Sequence, residues 1–271
     1  MINFDLISLL QYGFVQKAFL AGTFTALSCS ALGLFLVLRK MSLVGDGLSH
    51  VSFGAIALGM LAGVYPTYLA LPIIVIAAIL ILKISEKTKV YGDAAIGIVS
   101  AAGVAGGVIL ASLSNGFNVD LLSYLFGNIL AASSQEVIFS IGLSLFILAT
   151  IYLFYWDLFS ISFDEEYAQV SGIPVGLVNY LLVILTAITV LLSIKVVGIM
   201  LVSALLIIPA VTALQISRQF KTALLISGLT AALSVIIGII FSLLLNLPTG
   251  ATIVLVNLVF FILAILIGKM R

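Results

Sequence analysis

The sequence predicts an all-α membrane protein: a polytopic bundle of about nine transmembrane helices, with eight also compatible, and one short cytoplasmic helix. Of its 271 residues, 63% are hydrophobic and 8% are charged, whereas soluble domains carry charge on roughly a quarter of their residues. Uncharged runs recur at lengths near the roughly 20 residues that a helix needs to cross a bilayer. The longest water-facing stretches, about 114–134 and 157–175, are too short to bury a core. We therefore expect a single transmembrane domain over residues 1–271, with no soluble domain.

Charges and turn residues delimit the individual spans. Two apolar runs, 176–216 and 222–268, are each too long for a single crossing. We expect the first to break near 195–198 and the second at Asn246-Leu-Pro-Thr-Gly250, which is a turn signature. Each run then supplies two spans, and five more precede them at about 17–39, 44–63, 66–83, 94–113 and 137–156.

The basic residues predict the orientation, because cytoplasmic loops retain Lys and Arg. With the amino terminus outside and the carboxyl terminus in the cytoplasm, only Lys17 and Lys195 lie outside. The other basic residues then lie inside: Arg39, Lys40, Lys83, Lys87, Lys89, Arg218, Lys221, Lys269 and Arg271.

Several function classes are excluded by what the sequence lacks. Its 11 basic and 10 acidic residues are nearly balanced, so it lacks the basic footprint of a nucleic-acid-binding protein. It holds no G-x-x-x-x-G-K-[ST] phosphate loop with which to hydrolyse ATP, and no nucleophile with an adjacent base marks it as an enzyme. A single cysteine, Cys29, and a single histidine, His50, exclude an internal disulfide and a three-histidine metal site.

Asp46 and His50 stand out because both are ionisable and both fall in the second predicted span. They are four residues apart, so a helix places them on one face, one turn from each other. A carboxylate and an imidazole together can bind a divalent cation such as zinc or manganese, provided that this face looks into protein or water rather than lipid. The alternative is structural: Asp46 caps the helix and His50 hydrogen-bonds a neighbouring helix.

One chain supplies only these two ligands, which is too few for a cation site. If two copies of the chain met about a two-fold axis, each copy would supply the pair, giving two carboxylates and two imidazoles. Small residues would permit the close approach of the helices, namely Gly45, Gly47, Ser49 and Gly54. The arrangement is a geometric possibility of the sequence.

The segment 161–174 is the second exception to the apolar pattern. Ser162 or Asp164 can cap a helix there, and acidic residues in its first turn suit the helix dipole. Gly172 ends the helix about eight residues later. A short cytoplasmic helix over 164–172 is therefore predicted. It is either a solvated loop helix or a docking element for a cytoplasmic partner, with Phe163, Tyr167 and Ala168 as its apolar contact.

A few further residues are interpreted mainly as structural. Gly103 and Gly107 form a G-x-x-x-G pair that lets helices pack closely. Pro209 is expected to kink the seventh span, and Cys29 is expected to serve packing. Asp120, in the outer segment, either attracts a cation, contacts a binding protein or caps a helix.

Four segments together carry a resemblance to a known family. They are Arg39-Lys-Met-Ser-Leu with Gly45-Asp46 and Ser49-His50, then Asn118-Val-Asp-Leu-Leu-Ser-Tyr-Leu-Phe-Gly127-Asn-Ile-Leu130, then Phe163-Asp-Glu-Glu-Tyr-Ala-Gln-Val-Ser-Gly172-Ile, and Val197-Gly-Ile-Met-Leu-Val-Ser-Ala-Leu-Leu-Ile-Ile-Pro209-Ala-Val-Thr-Ala213. In this order, over about residues 18–268, they resemble the zinc/manganese/iron (ABC-3) permeases of bacterial ATP-binding-cassette importers. Four matching segments are far more specific than any one of them.

The resemblance implies a homodimeric permease in the bacterial inner membrane. Two cytoplasmic ATPase subunits would bind the ATP, and an extracytoplasmic solute-binding protein would deliver the metal, so no cofactor is bound permanently. Asp46 and His50 would be the metal-path pair, with Asp120 as a possible outer contact for the cation or the binding protein. The helix at 164–172 would be the coupling helix, which enters a groove of the ATPase, with contacts from Phe163, Asp164, Glu165, Glu166, Tyr167, Ala168 and Gly172.

Zinc is the expected metal and manganese the next, because 118–130 and Leu206-Ile-Ile-Pro209 resemble the zinc members more than the manganese members. The competing class is a stand-alone secondary cation transporter or channel that uses the same pair. Broken helices and intramembrane ionisable residues suit that class too. Against it, one Asp and one His within the membrane leave little apparatus for a proton relay.

Overall fold

The computed structural model describes residues 11–87, 92–113 and 129–269. Within them every regular element is helical, with eleven α-helices and one short 3₁₀-helix, Ile129–Ala131. In chain order the α-helices are α1 Gly13–Leu38, α2 Val44–Leu61, α3 Pro66–Lys87, α4 Gly92–Leu113, α5 Ser134–Leu153, α6 Tyr155–Phe163, α7 Glu165–Val170, α8 Val175–Val197, α9 Ile199–Ile216, α10 Phe220–Leu245 and α11 Thr249–Lys269.

Nine of the helices in the described ranges are long and apolar enough to cross a bilayer, namely all except α6 and α7. This confirms the all-α polytopic bundle. The two predicted breaks are confirmed as well, since Gly198 between α8 and α9 has a φ of 84° and Asn246 after α10 has a φ of 52°. Glycine and asparagine adopt this left-handed backbone most readily, so these residues can end a helix where most others would continue it.

The fifth span differs from its predicted range of 137–156. Helix α5 begins earlier because Ser133 and Glu136 form a capping box, in which each backbone N–H donates to the other residue's side chain at 3.3 and 2.8 Å. It also ends earlier, and the separate helix α6 follows where only one short helix was predicted. Phe154 leaves the helical conformation, with φ −98° and ψ 20°. A phenylalanine is no helix breaker, so the sequence carried no signal for this interruption.

Helices α1 and α2 are the most buried of the nine spans, and they lie at the centre of the bundle. Helix α1 contacts α5, α8, α9 and α10, while α2 contacts α3, α4, α8 and α9. Glycine allows the closest of these contacts: a Cβ on Gly33 of α1 would lie 1.8 Å from the carbonyl oxygen of Leu206 in α9. Cys29 of α1 is fully buried, in agreement with a packing role.

The G-x-x-x-G pair of α4 packs directly against α2. A Cβ on Gly54 of α2 would lie 2.4 Å from the Gly103 carbonyl oxygen, and a Cβ on Gly103 would lie 2.7 Å from the Val51 Cα. A Cβ on Gly107 would lie 2.9 Å from the Gly54 Cα. The close helix packing predicted for this pair is therefore confirmed, and it fixes one side of α2. Pro209 lies inside α9, and the kink expected there stays a prediction.

Candidate functional site

Helix α2 is buried around most of its circumference, but one narrow stripe is open. The stripe runs through Leu43, just before the helix, to Asp46 and His50. The side chains of Asp46 and His50 are 47% and 37% exposed, whereas Gly45, Gly47, Leu48 and Ser49 between them are buried. The two ionisable side chains of this central helix thus share the face that its neighbours leave uncovered.

The pair has a spacing that suits a shared cation. His50 Nε2 lies 3.6 Å from Asp46 Oδ2. Two ligand atoms at about 2.0–2.2 Å from a tetrahedral ion lie about 3.3–3.6 Å apart, so the observed separation needs little adjustment to hold one ion between the atoms. The i,i+4 relation predicted from the sequence is therefore realised in the folded chain, with both side chains turned toward each other.

The pair is an incomplete metal site by itself. No group of three or more His, Cys, Asp or Glu side chains comes together within residues 11–87, 92–113 and 129–269. A stable divalent site ordinarily uses four or more ligands. The remaining ligands would therefore have to come from water or from another molecule that covers the open stripe.

The structural alternative for the pair receives little support from the geometry. Leu43, not Asp46, occupies the N-cap position of α2, and no side chain caps that helix. Asp46 lies in the first turn, where a carboxylate interacts favourably with the helix dipole. In the described part of the chain, the polar contact of the His50 side chain is with Asp46 of its own helix rather than with a neighbouring helix.

The predicted cytoplasmic helix is present as α7, Glu165–Val170. The Tyr167 N–H donates to Asp164 Oδ1 at 2.9 Å, so Asp164 is the cap and Ser162 is not. Gly172 ends the helical stretch with a φ of 84°, a conformation that glycine adopts without strain. The sequence-based boundaries of 164–172 are therefore close to the observed cap and terminator.

Helix α7 has two distinct faces. Ala168 is fully buried against the chain itself, so it does not lie on the face that a partner could reach. Tyr167 and Val170 are 67% and 88% exposed, and Glu166 is exposed beside them. The outer face thus combines two large side chains with a carboxylate, whereas the inner face anchors the helix.

Glu165 belongs to the anchored side of α7. Its carboxylate accepts a hydrogen bond from Arg39 Nη2 at 3.3 Å and another from Asn179 Nδ2 at 3.1 Å. Arg39 Nη1 also donates to Asn179 Oδ1, which closes a ring of three side chains. The Arg39 side chain is only 9% exposed. We call Arg39, Asn179 and Glu165 the polar ring.

Sequence reasoning missed this ring. Its members are separated by 14 to 140 positions along the chain, and no local pattern brings them together. The one available signal was Asn179 itself, an amide within the first turns of an otherwise apolar span, because polar side chains in such places are usually paired. Arg39 was interpreted only as a cytoplasmic charge.

An aromatic cluster runs along the length of α6 and meets the start of α10. Phe159 and Phe163 have ring centroids 4.8 Å apart, and Phe220 of α10 lies 5.2 Å from Phe159. Tyr155 joins the same cluster, where burial raises the pKa of its phenol. Phe163 itself is 61% exposed, so it extends the apolar surface next to α7.

A cavity of about 490 Å³ lies elsewhere, between α1, α3, α5 and α8. Hydroxyl side chains line part of it, and two of them, Ser28 and Ser144, are hydrogen-bonded to each other at 2.6 Å. Its carboxylate belongs to Glu136, which is engaged in the capping box of α5. The cavity does not include Asp46 or His50, so it is separate from the candidate metal pair. Asp120, predicted as an outer contact, lies outside the described residues.

The nine spans within the described ranges, the open ionisable pair and the two-faced helix α7 are typical of a membrane protein of the permease class. A family model described as the ABC 3 transport family matches residues 11–268, which is almost the whole chain. The chain belongs to this family, as the resemblance of its four segments implied.

Known relatives are similar over about three quarters of the chain. It is 37% identical over 212 residues to the manganese transport system membrane protein MntC of Halalkalibacterium halodurans, covering 78% of this chain and 73% of that protein. It is 36% identical over 202 residues to the high-affinity zinc uptake system membrane protein ZnuB of Haemophilus influenzae, covering 74% and 77%. The manganese and zinc relatives are thus almost equally similar.

A solved structure shares the fold as well. The structure of PsaBC from Streptococcus pneumoniae in complex with Fab matches with a TM-score of 0.85 at 32% sequence identity. The match covers 95% of this chain and 93% of that chain. The whole bundle, rather than one part of it, is therefore common to the two proteins.

Proposed function

We propose that the chain is the membrane-spanning permease subunit of an ATP-binding-cassette importer that moves a divalent transition metal into the cytoplasm. The observation that carries the proposal is the Asp46–His50 pair, held 3.6 Å apart on the open stripe of a buried central helix. Relatives named for manganese and zinc transport support the choice of cargo. Zinc is the first candidate and manganese the second.

The metal path would be shared by two copies of the chain. Each copy offers one carboxylate and one imidazole on an uncovered stripe, and a two-fold axis beside that stripe would bring two such pairs together. Two carboxylates with two imidazoles suit zinc, and manganese accepts the same donor types. Because transport requires release as well as binding, the site would hold the ion only briefly.

Energy would come from separate cytoplasmic subunits. The sequence has no phosphate loop, so ATP would be bound and hydrolysed by two ATPase subunits, each engaging the outer face of one α7 helix. An extracytoplasmic binding protein would deliver the metal. Its choice of cargo would set selectivity together with the permease, because one Asp–His pair per chain discriminates weakly between zinc and manganese.

Uptake into proteoliposomes tests the proposal. The vesicles would contain the chain and its ATPase with ATP inside, and the metal-loaded binding protein would be added outside with radioactive zinc or manganese. We expect uptake only when all three proteins and ATP are present, and none with a non-hydrolysable ATP analogue.

The same experiment separates the proposal from its alternative. Uptake by the chain alone, driven by a proton or sodium gradient without ATP, would assign it to the secondary transporters instead. Replacing the binding protein by a manganese-specific one that still docks is expected to shift the transported metal. Continued exclusive passage of zinc would make the permease the filter.

A further inference from the structure

We propose that the polar ring of Arg39, Asn179 and Glu165 transmits the motion of α7 to the metal-path helix α2. The three side chains would act as positioning residues that couple ATP hydrolysis to opening and closing of the path. The inference rests on the proposed function, and it adds a specific route by which two distant parts of the chain communicate.

Chain connectivity alone does not link α7 to the metal pair. The helices that precede and follow α7 are α6 and α8, and they are also its main helix contacts. Neither carries Asp46 or His50. Helix α8 does pack against α2. The ring adds a direct polar connection, because Glu165 of α7 is hydrogen-bonded to Arg39, the residue that ends α1 just before α2.

The ring helps to hold α7 against the rest of the bundle. The Arg39 side chain is only 9% exposed. Burying a guanidinium costs free energy unless an opposite charge pairs with it. Arg39 and Asn179 both donate to the Glu165 carboxylate, and Arg39 donates to Asn179 in turn. Pulling α7 away from the bundle would therefore break two hydrogen bonds to the Glu165 carboxylate, whose side chain is 53% exposed.

Backbone hydrogen bonds restrain the turn that joins Arg39 to α2. The Lys40 N–H donates to the Val37 carbonyl at 3.1 Å, and the Met41 N–H donates to the Leu36 carbonyl at 2.9 Å. The next contacts are Val44 N–H to the Met41 carbonyl at 3.1 Å and Gly47 N–H to the Leu43 carbonyl at 2.9 Å. A displacement of Arg39 is thus passed to the first turn of α2, where Asp46 lies.

The two faces of α7 complete the route. A partner on the outer face would contact Tyr167 and Val170, which are exposed. The inner face is held by the buried Ala168 and by the ring through Glu165. A force that a partner applies to the outer face of α7 would therefore enter the bundle through these inner contacts. Among them, the Glu165 contact reaches Arg39, just before α2.

Glu165→Gln, with Asp157→Asn as its control, tests the assignment in the reconstituted complex with the ATPase. Both changes neutralise one carboxylate of the two short helices, but only Glu165 belongs to the ring, and Asp157 lies in the first turn of α6 rather than on α7. For Glu165→Gln we expect ATPase co-purification and ATP turnover to persist within about twofold, while metal transported per ATP falls by about tenfold, a usual size for coupling between distant sites. Asp157→Asn should leave that ratio unchanged.

Two outcomes would overturn the proposal. A transport-to-ATP ratio in Glu165→Gln equal to that of the wild type would show that the ring carries no coupling. Loss of ATPase co-purification by Glu165→Gln would make Glu165 a direct docking contact instead. Asn179→Leu, which removes the amide but keeps a similar volume, should reproduce the uncoupling and provides a second variant if Glu165→Gln does not fold.

Hydrogen exchange keeps the test independent of the proposed transport function. In the purified chain without ATPase or metal, Glu165→Gln should raise amide exchange over residues 40–47, because the turn loses its anchor, and Asp157→Asn should not. Unchanged exchange in both variants would show that the ring does not restrain residues 40–47. If the wild type moved no metal under any condition while this difference in exchange held, the proposed function would fail and the link would stand.

Discussion

At the scale of single residues, an ionisable side chain on an apolar helix is stable only where something other than lipid faces it. Asp46 and His50 are the two such side chains on the open stripe of α2, and burying either against hydrocarbon would cost several kcal/mol. Their exposure therefore indicates water or a second protein surface beside α2. A bound cation would also compensate the carboxylate.

The first prediction concerns these two side chains. If the proposed metal role holds, His50→Gln and Asp46→Asn should each lower metal transport by at least about tenfold, since each would remove a ligand whose loss typically costs that much or more. The double variant should be hardly worse than either single one, because both residues act on one ion. Radioactive zinc and manganese uptake at equal membrane abundance is the measurement.

Ser49→Ala is the matched control for that prediction. Ser49 lies between Asp46 and His50 in the sequence, but it is buried and its hydroxyl donates within its own helix, to the Gly45 carbonyl at 2.8 Å. Transport should stay within about twofold of the wild type, because one intrahelical hydrogen bond contributes little net free energy. Wild-type uptake by His50→Gln would return the pair to a structural role.

The residues that could be predicted were those with a local signal. Asp46 and His50 were visible because charge interrupts an apolar run and their spacing matches one helical turn. The polar ring was not visible, since Arg39 and Asn179 are 140 positions apart and only the fold brings them together. The burial of Ala168 was missed for the same reason: a six-residue helix does not reveal which of its faces packs inward.

At the scale of helices, the breaks between spans were predictable where glycine or asparagine marks them, as at Gly198 and Asn246. The interruption at Phe154 was not, because phenylalanine carries no local signal for ending a helix. The G-x-x-x-G pair was recognisable from spacing alone, but its partner helix became clear only from the fold.

The second prediction tests that helix contact. Gly103→Ala should lower stability by about 1–3 kcal/mol, the usual cost of overpacking, because the new Cβ would lie 2.7 Å from the Val51 Cα and 2.9 Å from the Val51 nitrogen. Backbone atoms cannot move aside as a side chain can, so α2 and α4 must separate. Thermal unfolding in detergent measures the effect.

Gly106→Ala provides the comparison within the same helix. A Cβ there meets no atom within 4 Å, and alanine favours a helix by up to about 1 kcal/mol over glycine. Its midpoint temperature should be equal to or slightly above that of the wild type. Equal destabilisation by the two substitutions would mean that the contact between α2 and α4 does not depend on the glycine pair.

The third prediction separates the two faces of α7. Tyr167→Asp should abolish co-purification of the ATPase without unfolding the chain, since Tyr167 is 67% exposed. Ala168→Asp should instead lower the thermal stability of the chain itself, because it forces a carboxylate into a fully buried position. Retention of the ATPase by folded Tyr167→Asp would contradict docking through the outer face.

At the scale of the whole molecule, the fourth prediction concerns orientation. The basic residues predict that the α2–α3 loop faces outward and α7 faces the cytoplasm. Cys29 is fully buried, so the native chain serves as an unreactive background. A membrane-impermeant maleimide added to intact cells should label Val64→Cys and not Glu166→Cys, and inverted vesicles should give the opposite result. Labelling of both in intact cells would contradict the assignment.

The fifth prediction asks whether two chains share the metal path. A single chain supplies one carboxylate and one imidazole on an open stripe, and no group of three or more His, Cys, Asp or Glu side chains forms within the residues that the structure describes. If two copies meet beside α2, residues that share one ion should have Cβ atoms within roughly 10 Å of each other. A short bifunctional thiol reagent should then join two chains carrying His50→Cys.

The native chain is the control for this cross-link, because its one cysteine is buried and should not react. Excess zinc should slow cross-linking of His50→Cys, since Asp46 and the introduced thiolate together can still bind the ion. Size-exclusion chromatography would establish independently whether the dimer is present. A dimer that persists without any cross-link through position 50 would place the two pairs apart, and each chain would then have to conduct metal through its own path.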